Sequence, residues 1–291
     1  MFTLYIVSTP IGNLQDITLR ALETLKRVSV VYCEDTRVTR KLLARYEIAT
    51  PVKSYHQHSG GRVMREIGES LKKGDVALVT DAGTPGVADP GNELIDALLR
   101  HCEPSRFAQD RLREAIPRGS PRSLALPRDD NKITIVPIPG ASAATAAASI
   151  CGFNMSTFTF LGFVPKKKGR AKFFQRVAES DIPVILYEAP YRIVKTLEEL
   201  GNALSSSRVE QSGTEGSLSA SLSTRAQAEG SRQALHSLRS VGMTETTRIV
   251  VCRELTKKFE SIYRGTVEEA LDRVQGDPIK GEYVIVVEGR E

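Results

Sequence analysis

Two α/β domains with mostly parallel sheets are what this sequence predicts, on three observations. Short, nearly continuous apolar runs such as VALV (76–79) and VILY (184–187) alternate with amphipathic helical stretches. That is the pattern of βαβ units whose sheet is covered on both faces. The alternation runs along the chain twice and breaks near 151–156, which gives an N-terminal domain over 1–153 and a C-terminal domain over 154–291. Segments rich in Gly and Pro follow the strands, where an open sheet holds ligands at its carboxyl edge.

In the first series FTLYIVST is a strand, and DITLRALETLKRV is a helix with Asp16 placed as its N-cap. VSVVYC is the next strand, TRVTRKLLARY a helix, DVALVT a strand and ELIDALLRHC a helix. TIVPI leads into a helix of small residues, SAATAAASI. In the second series STFTFLGF and PVILYE are strands, with AKFFQRVAE between them, and RIVKTLEELGNAL is a long helix. RIVVCRE and EYVIVVEG are the last two strands, separated by the helix TVEEALDRV. Two stretches break the pattern. Residues 103–132 mix Arg, Pro and Ser without a period, and 205–247 hold eleven serines with few large apolar side chains. Both read as surface insertions that bury too little to order themselves.

Composition narrows the class. The 291 residues are 41% hydrophobic and 26% charged, as in ordinary soluble globular chains. No apolar run approaches the ~18 to 20 residues of a membrane span, and MFTLYIVSTPIGN reads as a strand and not a signal peptide. Four dispersed cysteines, with no CxxC pair, fit small core residues in a reducing cytoplasm and argue against a zinc site. His56 and His58 have no Cys or carboxylate in register, so no metal is expected. The net charge of +5 makes a polyanionic partner plausible, depending on where the charge gathers.

The segment TDAGTPGVADPG (80–91) carries the most chemistry. It matches neither GxxxxGK[ST] nor GxGxxG, and its aspartates would repel a phosphate. They suit a ligand with hydroxyls, an amine or a cationic centre, a description that S-adenosylmethionine meets. Asp89 precedes Pro90 and reads as a helix N-cap, whereas Asp81 ends a strand and reads as a ligand contact. Gly83 and Gly86 supply positive φ or close backbone approach. Ser8, Thr9, Pro10 and Gly12 lie at the end of the first strand, and Pro139, Gly140 and Ser142 lie before the small-residue helix.

In their order, STPIGNLQD, EDTRVTRKLL, TDAGTPGVADPG, PIPGASA, LYEAPYR and RELTKKFE make the chain resemble the ribosomal RNA small subunit methyltransferase I family. These are cytidine 2′-O-methyltransferases of the tetrapyrrole methylase superfamily. The resemblance covers about 1–100, 132–203 and 248–289. It implies a two-domain α/β enzyme with S-adenosylmethionine in a cleft between domains, a homodimer, and a substrate cytidine (cytidine 1402) in 16S rRNA of the small ribosomal subunit. Carried over motif by motif, the cofactor contacts are Pro10, Ile11, Asp81, Gly83, Thr84, Ser142 and Ala143, with Tyr187, Glu254 and Gly281 from the second domain. Where the family has His in the YE-P-R motif, this chain has Tyr191, which keeps an aromatic face but no imidazole.

Two basic clusters are candidate RNA contacts. Arg37, Arg40, Lys41 and Arg45 have helical spacing, and Lys166, Lys167, Lys168 and Arg170 gather in one loop, with Arg192 as a further phosphate ligand. Methyl transfer to a ribose hydroxyl needs alignment of donor and acceptor and gains from a base, for which Glu188 and Lys166 are the candidates. Two other readings compete. One is a methyltransferase for a small tetrapyrrole-like molecule, which the basic clusters disfavour. The other is a non-catalytic RNA-binding relative, which the intact 80–91 loop disfavours.

Overall fold

The computed structural model describes residues 2–55, 61–89, 91–102, 133–212 and 247–290. The insertion expected over 103–132, most of that over 205–247, and His56 and His58 lie outside the described residues. The chain divides into two compact units, one of 1–146 with 255–258, the other of 147–254 with 259–291. No helix among the described residues is long and apolar enough to cross a membrane.

The first unit is a five-stranded sheet, ordered β3-β2-β4-β1-β5 and parallel throughout. Its strands are β1 (Phe2–Val7), β2 (Val30–Cys33), β3 (Val52–Ser54), β4 (Val76–Leu78) and β5 (Ile133–Ile138). Helices α1 (Leu19–Arg27) and α2 (Thr36–Arg45) cover one face, where Leu25, Leu42 and Leu43 meet Val7, Val31 and Val79. Helices α3 (Gly61–Leu71) and α4 (Asn92–Cys102) cover the other, where Ile67, Leu71, Leu94 and Leu98 meet Leu4, Tyr32 and Leu78. Each fully buried Leu or Ile contributes about 1.5–3 kcal/mol, so both faces of the sheet are committed to the core. A fifth helix, α5 (Ala143–Ile150), follows β5.

The second unit has the order β6-β7-β10-β8-β9, from β6 (Thr159–Phe163), β7 (Val184–Glu188), β8 (Ile249–Arg253), β9 (Ser261–Gly265) and β10 (Tyr283–Val287). Helices α6 (Arg170–Ala178), α7 (Ile193–Ser212) and α8 (Val267–Gly276) pack Phe174, Leu197, Leu200 and Val274 on one face. Parallel pairing accounts for all four contacts of the first sheet but only for β6 with β7 in the second. Strand β10 runs antiparallel to both β7 and β8, and β8 to β9. The connection from Arg253 to Ser261 is too short for a crossover helix, so β9 must return beside β8.

Three boundaries differ from the sequence reading. Asp16 sits in a short 3-10 turn, Leu14–Asp16, and Thr18 caps α1 instead, its hydroxyl accepting from Ala21 N–H. Helix α4 opens at Asn92, beyond the Asp89-Pro90 pair, with Gly91 C=O accepting from Ile95 N–H. Helix α7 continues into the serine-rich stretch, where Ser205, Ser206 and Ser207 donate their hydroxyls back to the carbonyls of Gly201, Asn202 and Leu204. Strands β3 and β9 and helix α3 were not predicted. The two strands are short and partly polar, and glycines at 61 and 68 dilute the helical signal of Val63, Met64, Ile67 and Leu71.

The cap assignment is testable. Thr18→Ala should destabilise the protein by about 1 kcal/mol in urea unfolding, and Asp16→Ala by much less. The reverse order would return the cap to Asp16.

Candidate functional site

Strand order places the site. Strand β1 leads to α1 on one face of the sheet and its neighbour β4 leads to α4 on the other. Where adjacent parallel strands send their connections to opposite faces, a crevice opens at their carboxyl ends. The segments after β1 and β4 meet there as an isolated antiparallel bridge. Thr9 N–H donates to Gly83 C=O at 2.8 Å, and Gly83 N–H donates to Thr9 C=O at 3.0 Å. Thr9 Oγ1 donates to Thr80 C=O, and the hydroxyls of Ser8 and Thr84 lie 2.8 Å apart.

Gly83 has φ +79, a left-handed conformation that side chains disfavour, and a Cβ there would face Ile11 Cγ2 at 3.8 Å and Ala141 C=O at 3.9 Å. The segment after β5 comes equally near, since a Cβ on Gly140 would lie 2.9 Å from Ser8 Cβ. The fold therefore brings together Ile11, Gly83 and Thr84, with Ser142 and Ala143 half-buried at the start of α5. Pro10 and Ile11 are buried, so they offer backbone and an apolar wall.

Asp81 is exposed, and its Oδ1 accepts from Asp35 N–H at 2.9 Å. Asp35 in turn caps α2 and pairs with Arg37 at 2.6 Å. The Arg37 side chain and backbone bonds hold the Asp35 carboxyl at about 2, well below the usual carboxylate value. Two carboxylates, hydroxyls and bare backbone form a donor and acceptor set for ribose hydroxyls, an amino group or a sulfonium, and a poor one for phosphate. The set fits S-adenosylmethionine. Asp35 was missed as a site-builder, although it stands in a readable D-T-R helix start.

The second unit gathers its expected residues along one sheet edge. Tyr187 and Glu188 end β7, Glu254 follows β8, and Gly281 precedes the antiparallel β10, so all four share that edge. Gly281 has φ +82, and a Cβ there would lie 2.2 Å from the Glu254 carboxyl carbon. Glu254 Oε1 accepts from Glu282 N–H at 3.2 Å. Tyr187 is half-buried, with Phe160 and Phe163 packed edge-on against its ring at 4.9 and 5.4 Å.

Three expected roles are corrected here. Glu188 is 1% exposed: Oε1 accepts from Ala189 N–H and pairs with Arg192 at 2.6 Å, while Oε2 accepts from Thr196 Oγ1 and faces Arg170 at 4.0 Å. A carboxylate so enclosed faces its own arginines and Thr196, and no open space in this structure. Arg170 is buried, bonded to Glu199, Thr196 and the Pro165 carbonyl. Arg192 is held between Glu188 and the Val164 carbonyl. Neither arginine is available to phosphate. Lys166, Lys167 and Lys168 remain exposed, as do Arg37, Arg40, Lys41 and Arg45 on the outer face of α2. No group of three or more metal-ligating side chains occurs among the described residues.

Comparison with known proteins gives the family. The family model of tetrapyrrole (corrin/porphyrin) methylases matches residues 3–107 and 119–271. Ribosomal RNA small subunit methyltransferase I of Halalkalibacterium halodurans is 33% identical over 99% of this chain and 76% of its own length. The Bacillus subtilis protein of that name is 34% identical over 99% and 76%, and that of Mycoplasmopsis pulmonis 33% over 98% and 97%. Among solved structures, a cobalt precorrin-4 methyltransferase superposes with a TM-score of 0.57 at 18% identity, covering 98% of this chain and 94% of that one. The uroporphyrin-III-C-methyltransferase of Thermus thermophilus gives 0.55 at 16%, covering 99% and 94%.

Two outcomes are expected. Glu188→Ala leaves Arg192 without its carboxylate partner and should cost about 3–5 kcal/mol in urea unfolding, because an unpaired, largely buried charge is left behind. The depressed Asp35 carboxyl stabilises the fold above the ordinary carboxylate pKa, and that contribution is lost as pH falls through about 2. Carbon-13 NMR titration should show Arg37→Ala moving the Asp35 midpoint upward; an unmoved midpoint would assign the shift elsewhere.

Proposed function

This chain belongs to the tetrapyrrole methylases and, within them, to the S-adenosylmethionine-dependent ribosomal RNA small subunit methyltransferase I family, and from that premise we propose that it methylates the ribose 2′-hydroxyl of a cytidine in 16S rRNA. The substrate position proposed is the one the resemblance implies, cytidine 1402. The observation that carries the cofactor half of this reading is the Thr9–Gly83 bridge, which sets the loops after β1, β4 and β5 side by side with the Asp81 carboxylate. For the RNA half it is the exposed lysine run 166–168, free of ion pairs among the described residues.

S-adenosylmethionine, when bound, supplies an electrophilic methyl group. The chain's own residues then have three tasks. Asp81 and Thr84 orient a polar, phosphate-free ligand, Gly83 allowing it to approach the backbone closely, with Ile11, Ser142 and Ala143 beside them. Within the second unit, Gly281 leaves room for the Glu254 carboxylate on the sheet edge that also carries Tyr187. Lys166, Lys167 and Lys168 neutralise backbone phosphates, as do the α2 cations, and these contacts position the RNA without reading its sequence. With Glu188 enclosed, alignment and exclusion of water carry the rate acceleration in this proposal.

The test uses the purified chain, labelled S-adenosylmethionine and small ribosomal subunits lacking the modification. Label should map to one cytidine and make the adjacent linkage resistant to alkali, as a blocked 2′-hydroxyl does. Asp81→Ala should weaken cofactor binding about 10- to 150-fold, the worth of a hydrogen bond to a charged group. Transfer to a base atom would refute the ribose assignment, and cofactor binding without transfer to any RNA would favour a small-molecule substrate.

A further inference from the structure

We propose that the carboxyl edge of β6 and β7 is a stacking ledge for an unpaired RNA nucleotide, with Phe163 and Tyr191 taking the base and Lys166–Lys168 its phosphates. The proposal rests on the RNA reading above and adds where and how a single strand is held.

Two large side chains stand out on this edge. Tyr191 is 75% exposed and Phe163 is 51% exposed; among the described residues, the other exposed large apolar side chains of this unit, Phe158, Phe259 and Ile279, lie outside its β6–β7 carboxyl edge. Neither ring is on a loose segment. Phe163 ends β6 in register with Tyr187, whose ring touches it edge-on. Tyr191 sits in the 3-10 turn Pro190–Arg192, and the Arg192 guanidinium lies 5.8 Å from its ring centroid. Arg192 also donates to the carbonyl of Val164, the residue after Phe163, and is fixed by Glu188. One arginine thus ties the Tyr191 turn to the backbone just after Phe163, and its cation beneath the Tyr191 ring leaves the opposite face for a ligand.

The chemistry of the surround selects the occupant. Lys166, Lys167 and Lys168 follow Phe163 within a few residues, and the carbonyls before them are pinned by Arg192 and Arg170. The nearby carboxylates are spent: Glu188 is buried between two arginines, and Glu199 pairs with Arg170 and Lys195. A second copy of this chain would bring three lysines against three lysines if the face met itself about a two-fold axis. A polyanion with flat faces matches instead. Exposed aromatics beside a cationic groove hold single strands by stacking, and only unpaired nucleotides present a free face.

The ledge is tested with the full chain, unmodified small subunits and labelled S-adenosylmethionine. Initial rates give KM for subunits and kcat; calorimetry gives cofactor affinity; sedimentation gives mass. Tyr191→Ala and Phe163→Ser should each raise the subunit KM about 5- to 150-fold, the range of one lost base stack, with cofactor affinity and mass unchanged. Tyr191→Phe keeps the π face and should recover most of the loss. Leu19→Ser, at an exposed apolar position on α1, should leave KM unchanged. Replacing Lys166, Lys167 and Lys168 together by Ala should lower the slope of log affinity against log salt by about 2, at ~0.7 for each single-strand phosphate contact.

Unchanged KM in both aromatic variants would overturn the ledge while leaving methylation of the subunit intact. A halved mass with unchanged KM would also overturn it and give the face to a second copy. Wild-type protein that binds cofactor yet labels no RNA would sink the functional reading and the ledge together, before any variant is made.

Discussion

Two backbone hydrogen bonds, between Thr9 and Gly83 in each direction, hold the carboxyl ends of β1 and β4 in one register, and everything at that edge of the first unit depends on them. Each such bond contributes about 0.5–1.5 kcal/mol net. A residue with a Cβ at the left-handed conformation of Gly83 would lose about 1–2 kcal/mol, enough to offset most of the pair. Glycine removes that cost, which is why the bridge can form between irregular segments. Once it forms, Ser8 meets Thr84 and Thr9 reaches Thr80. Asp81 is then left pointing at the Asp35 amide, and the third loop closes on Ser8 through Gly140. The site is a consequence of strand order and one permissive residue.

The second unit reaches local order by a costlier route. Glu188 is buried with two arginines, and removing such charges from water costs several kcal/mol per ion before any attraction is counted. Apolar side chains of like volume would stabilise that interior as well or better. What they would lack is direction. Arg192 and Arg170 each carry a hydrogen bond to a specific carbonyl, Val164 and Pro165, immediately before the lysine run. Arg192 Nε has no partner among the described residues, so the network is not arranged for stability alone. It fixes where a cationic segment begins, a task dispersion forces cannot perform.

Much of this was legible in the sequence, and the failures share a cause. Strand and helix alternation revealed both α/β units, because near-continuous apolar strands report burial on two faces. The loop residues Asp81, Gly83 and Thr84 were legible because acid, glycine and proline at a strand end have few structural uses. Antiparallel β10 was not legible, since the period of a fully buried strand is the same in either direction. Arg170, Arg192 and Glu188 misled for a related reason. Side-chain type gives charge but not depth, and these three charges satisfy one another in the interior. Thr18 displaced Asp16 as the α1 cap because Leu14–Asp16 already forms its own turn, with Asn13 accepting from Gln15. Thr9 could be placed at a strand end but not paired with Gly83, since backbone pairing is open to any residue.

Once depth is known, the two cationic regions no longer weigh equally. On α2, Arg37 is 84% exposed but pairs with Asp35 at 2.6 Å, so its field is largely cancelled within its own turn. Arg40, Lys41 and Arg45 remain, and on an exposed helix their field fades over a Debye length of about 8 Å at physiological salt. Lys166, Lys167 and Lys168 are consecutive, and the carboxylates near them are already neutralised by arginines. Their charges sum over a span shorter than the screening length. Arg40, Lys41 and Arg45 span a similar ~7.5 Å along α2, so what sets the lysine run apart is that none of its cations is paired among the described residues as Arg37 is with Asp35.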